Sequence, residues 1–285
     1  ILKRKKDWPI VNLSQNKKSF LDEVSRHVFT NLTQKNGRKT LHEELETTIY
    51  REKQRIINNP WRVDPKDDLT FWKYIQKKQL AIKESKDRLT IEKEILKEII
   101  DRYCKEIVGN FNKSSYRFAK RITTFGFARL LNAARVKGFN SIFSRQLDLH
   151  DQIHVVGEPD QLRKLAKIGT IVLVPTHFSN LDSILIGWVI QFLGLPPFIY
   201  GAGLNLFNIK ILAYFMNSLG AYKLDRRKKN PIYLETLKEY SKRALEWGCH
   251  SLFFPGGTRS RSGQIENSLK LGLLGTAIEA QRSLI

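Results

Sequence analysis

Residues 170–182 read TIVLVPTHFSNLD. The run from Thr170 to Val174 is β-branched and aliphatic, the pattern of a buried strand. His177 leaves the strand just beyond Pro175. The carboxyl edge of a strand is where α/β domains place their ligands and chemistry. A helix starting near Asn180 would carry Asp182 in its first turn. From there the carboxylate can fold back onto the imidazole Nδ1, fix the tautomer and leave Nε2 to take a proton from a hydroxyl. The same spacing also suits a helix-capping aspartate beside an ordinary histidine. His27, His42, His150, His154 and His250 read as satisfied core or surface residues.

Outward from this stretch the pattern alternates. IHVVG (153–157), PFIYGA (197–202), AYKLD (221–225) and CHSLFFP (249–255) are strand candidates. DQLRKLAKIG (160–169) and PIYLETLKEYSKRALEWG (231–248) read as helices stopped by glycine. The expected class is therefore α/β, a mixed sheet flanked by helices. Before it lies a mainly helical region with breaks at Asn36-Gly37 and near Ser85 or Leu89. Ile91, Ile95, Ile99 and Tyr103 recur every fourth residue there, and 113–135 is amphipathic and basic. The boundary is expected near residue 148, dividing a basic helical region, 1–148, from a catalytic domain, 149–285. Between Asp182 and Lys210 no residue is charged. The expectation there is a buried core helix, with interfacial insertion as the second reading and a membrane span as the third.

Two further segments carry chemistry. In FFPGGTRSRSGQ (253–264), glycines expose backbone N–H groups, Thr258 and Ser260 offer hydroxyls, and Arg259 can grip a phosphate with two parallel bonds. In AYKLDRRKKN (221–230), a strand runs into Asp225, Arg226 and Arg227, while Lys228 and Lys229 read as solvated charge.

Together and in this order, the three segments resemble the glycerol-phosphate / lysophosphatidate acyltransferases of glycerolipid synthesis. The first motif of that superfamily, H-x4-D, is met by His177 and Asp182. The second is met by Gly220, Asp225 and Arg226, with Leu224 in place of isoleucine. The third, Phe-Pro-Glu-Gly-Thr-Arg-Ser, is met by Phe254, Pro255, Gly257, Thr258, Arg259 and Ser260, with Gly256 where the family has glutamate. A fourth, a short Val-Pro strand, is expected beyond Ile285, so the catalytic domain is expected to be truncated at that end. The resemblance implies transfer of an acyl group from acyl-CoA or acyl carrier protein to the hydroxyl of glycerol 3-phosphate or lysophosphatidate. It implies His177 as general base, Asp182 as its partner, and Arg259, Ser260, Gly257, Thr258 and Arg226 around the acceptor phosphate. No metal and no cofactor beyond the acyl donor is implied.

The charge balance fits such partners. The chain of 285 residues has a formal net charge of +21. Residues 1–150 hold 33 basic and 18 acidic side chains, so +15 of the excess lies away from the motifs. An anionic membrane surface is the expected partner of that excess, on the cytoplasmic face, bound peripherally or monotopically. A non-catalytic basic module binding membrane or RNA is the alternative. Glu and Asp interleaved through 84–106 and the absence of a nucleic-acid motif make RNA the weaker partner. Cys104 and Cys249 are too few for a disulfide scaffold and lack C-x-x-C spacing.

Overall fold

The computed structural model describes residues 4–34, 40–82, 87–131, 153–179, 182–256 and 269–285. The expected domain boundary near 148 lies outside these residues, as do Gly257, Thr258, Arg259 and Ser260.

Among the described residues, seven α-helices precede the first strand, and six of them make up the N-terminal region: α1 (Pro9–Gln15), α2 (Lys17–Gln34), α3 (Leu41–Asn58), α4 (Asp68–Ala81), α5 (Arg88–Ile107) and α6 (Lys113–Leu131). Local chemistry sets their ends. Thr40 caps α3 by accepting from the Glu43 amide at 3.3 Å, and the Glu43 carboxylate accepts from the Thr40 amide at 2.8 Å, a reciprocal capping box. The long helical stretch from residue 70 is divided between α4 and α5, as its length suggested. On α5, Ile95, Ile99, Tyr103 and Ile107 form one buried stripe.

Four strands follow: β1 (Val172–Leu173), β2 (Ile199–Gly203), β3 (Ala221–Leu224) and β4 (Ser251–Leu252). Their order in the sheet is β1-β4-β2-β3. Where the sequence suggested a mixed sheet, every pairing among the described strands is parallel, with Val172 opposite Ser251, Tyr200 opposite Leu252, and Tyr200 opposite Ala221. Parallel strands need crossovers, supplied by α8 (Asp182–Phe192), α9 (Lys210–Ser218) and α10 (Pro231–Glu246). The helix α7 (Pro159–Ile168) leads into β1, and α11 (Gly275–Ser283) packs on α10. The segment 153–157 is not a strand. Val156 is 92% exposed, and none of the described strands pairs with this segment.

Side chains alternate across the sheet. Ile199 and Tyr222 face a core built with α2, α3, α5 and α10. Tyr200, Ala202 and Ala221 face a second core that includes Ile190, Phe207 and Met216. The first core joins Phe20, Val24, Leu45, Trp72, Ile99 and Tyr103 of the helical region to Ile232, Tyr233 and Leu237 of α10. Each large apolar side chain buried this way contributes about 1.5–3 kcal/mol. The helical region and one face of the sheet therefore share one hydrophobic core.

The uncharged run after Asp182 folds as the eleven-residue α8, with Trp188 and Ile190 buried and Phe192 exposed. Among the described residues, no helix is long and apolar enough to cross a membrane.

Candidate active site

All four strands end at the same edge of the sheet, because all are parallel. His177 follows β1 by four residues, and Asp182 opens α8. The Asp182 carboxylate turns back exactly as a first-turn residue can: its Oδ2 accepts from the Phe178 amide at 2.6 Å and the Ser179 amide at 2.7 Å, and lies 3.0 Å from His177 Nδ1.

The electrostatics follow from that cradle. Burial works against ionisation of Asp182. The Ser179 amide, the His177 ring and the Phe178 amide outweigh it and hold the carboxyl below its usual range. A carboxylate so held keeps Nδ1 of His177 protonated and points Nε2 the other way. Both side chains remain one-fifth exposed, so the pair is open to solvent and to a substrate.

The third segment meets the histidine. The Phe254 ring, two residues beyond β4, lies 4.3 Å from the imidazole, inclined by 32°. Pro255 and Gly256 after it are buried, and the Pro255 carbonyl accepts from the Lys270 amide at 2.7 Å. Phe254 and Pro255 are thus fixed beside His177. Behind the site, His250 is a core residue. Its Nδ1 accepts from the Ile171 amide at 3.0 Å, and burial lowers its pKa, so it holds the β1 entry as a neutral ring.

The second segment sits at the far end of the same edge, after β3. Gly220 adopts φ +96°, a left-handed turn that feeds β3, and a Cβ there would come within 2.8 Å of the Phe198 carbonyl. Arg226 is exposed and makes no hydrogen bond or ion pair among the described residues. Its neighbours are engaged. Arg227 bonds both Asp225 and Asp64, donates to the Asn59 carbonyl at 2.7 Å and lies 3.9 Å over the Trp61 ring. Lys228, expected to be solvated, is buried. Its ammonium meets Glu106 and stands 3.5 Å from Glu52 and 4.8 Å from the centre of the Tyr103 ring. Lys229 is exposed as its sequence setting suggests. A cavity of about 300 Å³ opens against this loop, lined in part by Leu204, Phe207, Lys223, Asp225, Lys228 and Tyr233.

Sequence reasoning missed Trp61, Asp64, Glu52 and Glu106. No local pattern marks them: their partners in the loop lie more than 100 residues away, and the packing of α3 and α5 on α10 brings the two together.

Residues 155–285 match the family model described as Acyltransferase. Over 219 residues the chain is 25% identical to proteins named glycerol-3-phosphate acyltransferase from Shewanella sp. strain ANA-3, Shewanella oneidensis and Shewanella amazonensis. The alignments cover 76% of this chain and 24% of each relative, so the chain spans about a quarter of their length.

Proposed function

With residues 155–285 forming an acyltransferase-family domain of the glycerolipid acyltransferase superfamily, we propose that this chain transfers an acyl group from acyl-CoA or acyl carrier protein to the hydroxyl of a phosphorylated glycerol. The observation that carries the reading is the His177–Asp182 pair, 3.0 Å apart at the edge of the sheet within the matched residues.

The chemistry needs one proton carrier. With Nδ1 held by Asp182, His177 Nε2 takes the proton of the acceptor hydroxyl as its oxygen attacks the thioester carbonyl. Asp182 stabilises the imidazolium that forms. The tetrahedral intermediate then collapses, the carbon–sulfur bond breaks, and the imidazolium returns its proton to the departing thiolate. Neither a metal nor an acyl-enzyme is required. General-base help of this kind is worth roughly 10²–10⁴-fold. In this reading Arg226 receives the acceptor phosphate together with Arg259, Ser260, Thr258 and Gly257; the exposure of Arg226 at the carboxyl end of β3 supports its part. Glycerol 3-phosphate is the favoured acceptor over lysophosphatidate: the chain carries a long helical region before its catalytic domain, and the relatives carry that acceptor in their names.

The membrane is the second partner in this reading, approached from the cytoplasmic face. The helix α6 contains no Asp or Glu, carries Lys113, Arg117 and Arg121, and exposes Phe118, Ile122 and Phe125. Basic and apolar side chains together on one surface helix suit an anionic interface.

The test is a thioester-release assay with palmitoyl-CoA, with and without glycerol 3-phosphate. Acceptor-dependent release of CoA is expected from the native chain, with His177→Ala reducing it to background at unchanged circular dichroism. Full release by the His177→Ala variant would overturn the assignment of the base.

A further inference from the structure

The loop 225–230 after β3 carries Arg226, and almost every other group in it is held by the helical region. Arg227 is clamped by Asp64, the Asn59 carbonyl and the face of Trp61. Lys228 is fixed between Glu106 and Glu52, with its side chain only 2% exposed. The Lys229 carbonyl accepts from Arg51 at 2.8 Å, and Asn230 donates to Glu52 at 3.1 Å and to the Tyr103 hydroxyl at 2.9 Å. These partners all come from residues 51–106, outside the segment that matches the family model.

The partners are themselves braced. Glu52 accepts from Arg55 at 2.8 Å and from Tyr103 at 2.9 Å, and Glu106 accepts from Arg102 at 2.7 Å. Asp64 accepts from the Trp61 amide at 2.7 Å. Buried charges of this kind are costly unless each is paired, and here they are. Arg226 and Lys229 are the exposed cations of the loop, and neither side chain has an ion-pair partner among the described residues; of the two, Arg226 directly follows the strand-end Asp225. Its backbone is gripped on the C-terminal side by Arg227 and Lys228, and on the other by Asp225, whose amide donates to the Tyr233 hydroxyl at 2.7 Å.

We infer that Asp64 and Glu106 are positioning residues for acyl transfer, acting through Arg227 and Lys228 to hold Arg226 where it receives the acceptor phosphate. This rests on the proposed role of Arg226. A loop free to move would still carry the same charge, but would spend binding energy on being ordered, which raises the apparent KM of the acceptor and spares the chemical step.

The experiment uses the full chain with glycerol 3-phosphate as variable substrate and palmitoyl-CoA saturating. Asp64→Asn, Glu106→Gln and the milder Trp61→Leu are each compared with Arg226→Gln. Loss of one charge-assisted contact should raise acceptor KM about tenfold with kcat held within about twofold. The Asp64→Asn/Arg226→Gln double variant should be no worse than Arg226→Gln alone, because one interaction cannot be lost twice. Hydrogen exchange at the amides of 225–229 should quicken in Asp64→Asn and Trp61→Leu. Unchanged acceptor KM in Trp61→Leu together with faster exchange would overturn the inference, as would purely additive losses. Unchanged KM in Arg226→Gln would instead remove the phosphate role of Arg226, and the exchange data would then report the loop contacts alone.

Discussion

Three donors converge on one oxygen of Asp182, and that geometry says more than the H-x4-D spacing does. Two backbone amides fix the carboxylate before the imidazole adds its own hydrogen bond. Asp182→Asn keeps the size of the side chain but can turn its amide N–H toward the ring, which then presents the wrong tautomer. The expected result is a fall in kcat of about 10²–10⁴-fold with acceptor KM little altered, read by steady-state kinetics beside a circular dichroism control. A kcat near the native value would mean that Asp182 serves only as a helix-start group. At this scale the sequence was informative for the contact of His177 with Asp182, because they lie five residues apart and a strand-to-helix turn is able to bring them together. It was misleading for Lys228. A run of four cations reads as solvated, and nothing nearby in the chain announces that Glu106 and Glu52 wait for one of them.

Among the elements, α10 was the most legible. Asn230 accepts from the Tyr233 amide at 2.8 Å, Pro231 fills the first turn, and Gly248 takes φ +81° just past the end. Each of these is a local signal with a local cause. The strands were less legible. Apolar runs of five to eight residues shrink to two paired residues in β1 and β4, since pairing is decided by a neighbour that the run itself does not contain. IHVVG has the composition of a strand and pairs with none of the described strands. The turn into β3 is governed by a single glycine. Gly220→Ala would force a side chain into the left-handed region, costing about 1–2 kcal/mol, and would press a methyl against the Phe198 carbonyl and Ile10. The variant should unfold at lower denaturant with the m-value retained; an unchanged midpoint would show that the turn relaxes freely.

At the scale of the whole molecule, charge and core tell different stories about the same helices. The net charge of +21 is concentrated in the first half, yet several cations near the loop are engaged in internal pairs. Arg55 and Arg102, with Arg227 and Lys228 from the loop, are all matched by carboxylates from the helical region. In the proposed membrane role, the acid-free α6 is the surface helix that offers basic charge unpaired among the described residues. Exchanging Arg117 and Arg121 for glutamine should weaken binding to vesicles containing phosphatidylserine, with each Lys or Arg near the surface worth about 1 kcal/mol. Binding to neutral phosphatidylcholine vesicles should be little changed. Sedimentation with the two vesicle types measures this, and equal losses on both would point to packing rather than charge.

The shared interior also shapes the birth of the protein. The stripes on α2 and α5 that hold Val24, Ile95, Ile99 and Tyr103 are covered by α10, whose last residue is Glu246. A ribosome moving at roughly 5–20 residues per second completes α5 on the order of ten seconds before α10 emerges. Throughout that interval the nascent helices present an oily face and a set of buried-to-be carboxylates, Glu52 among them, with their covering partner still unsynthesised. A pause in translation before Pro231 would lengthen that interval.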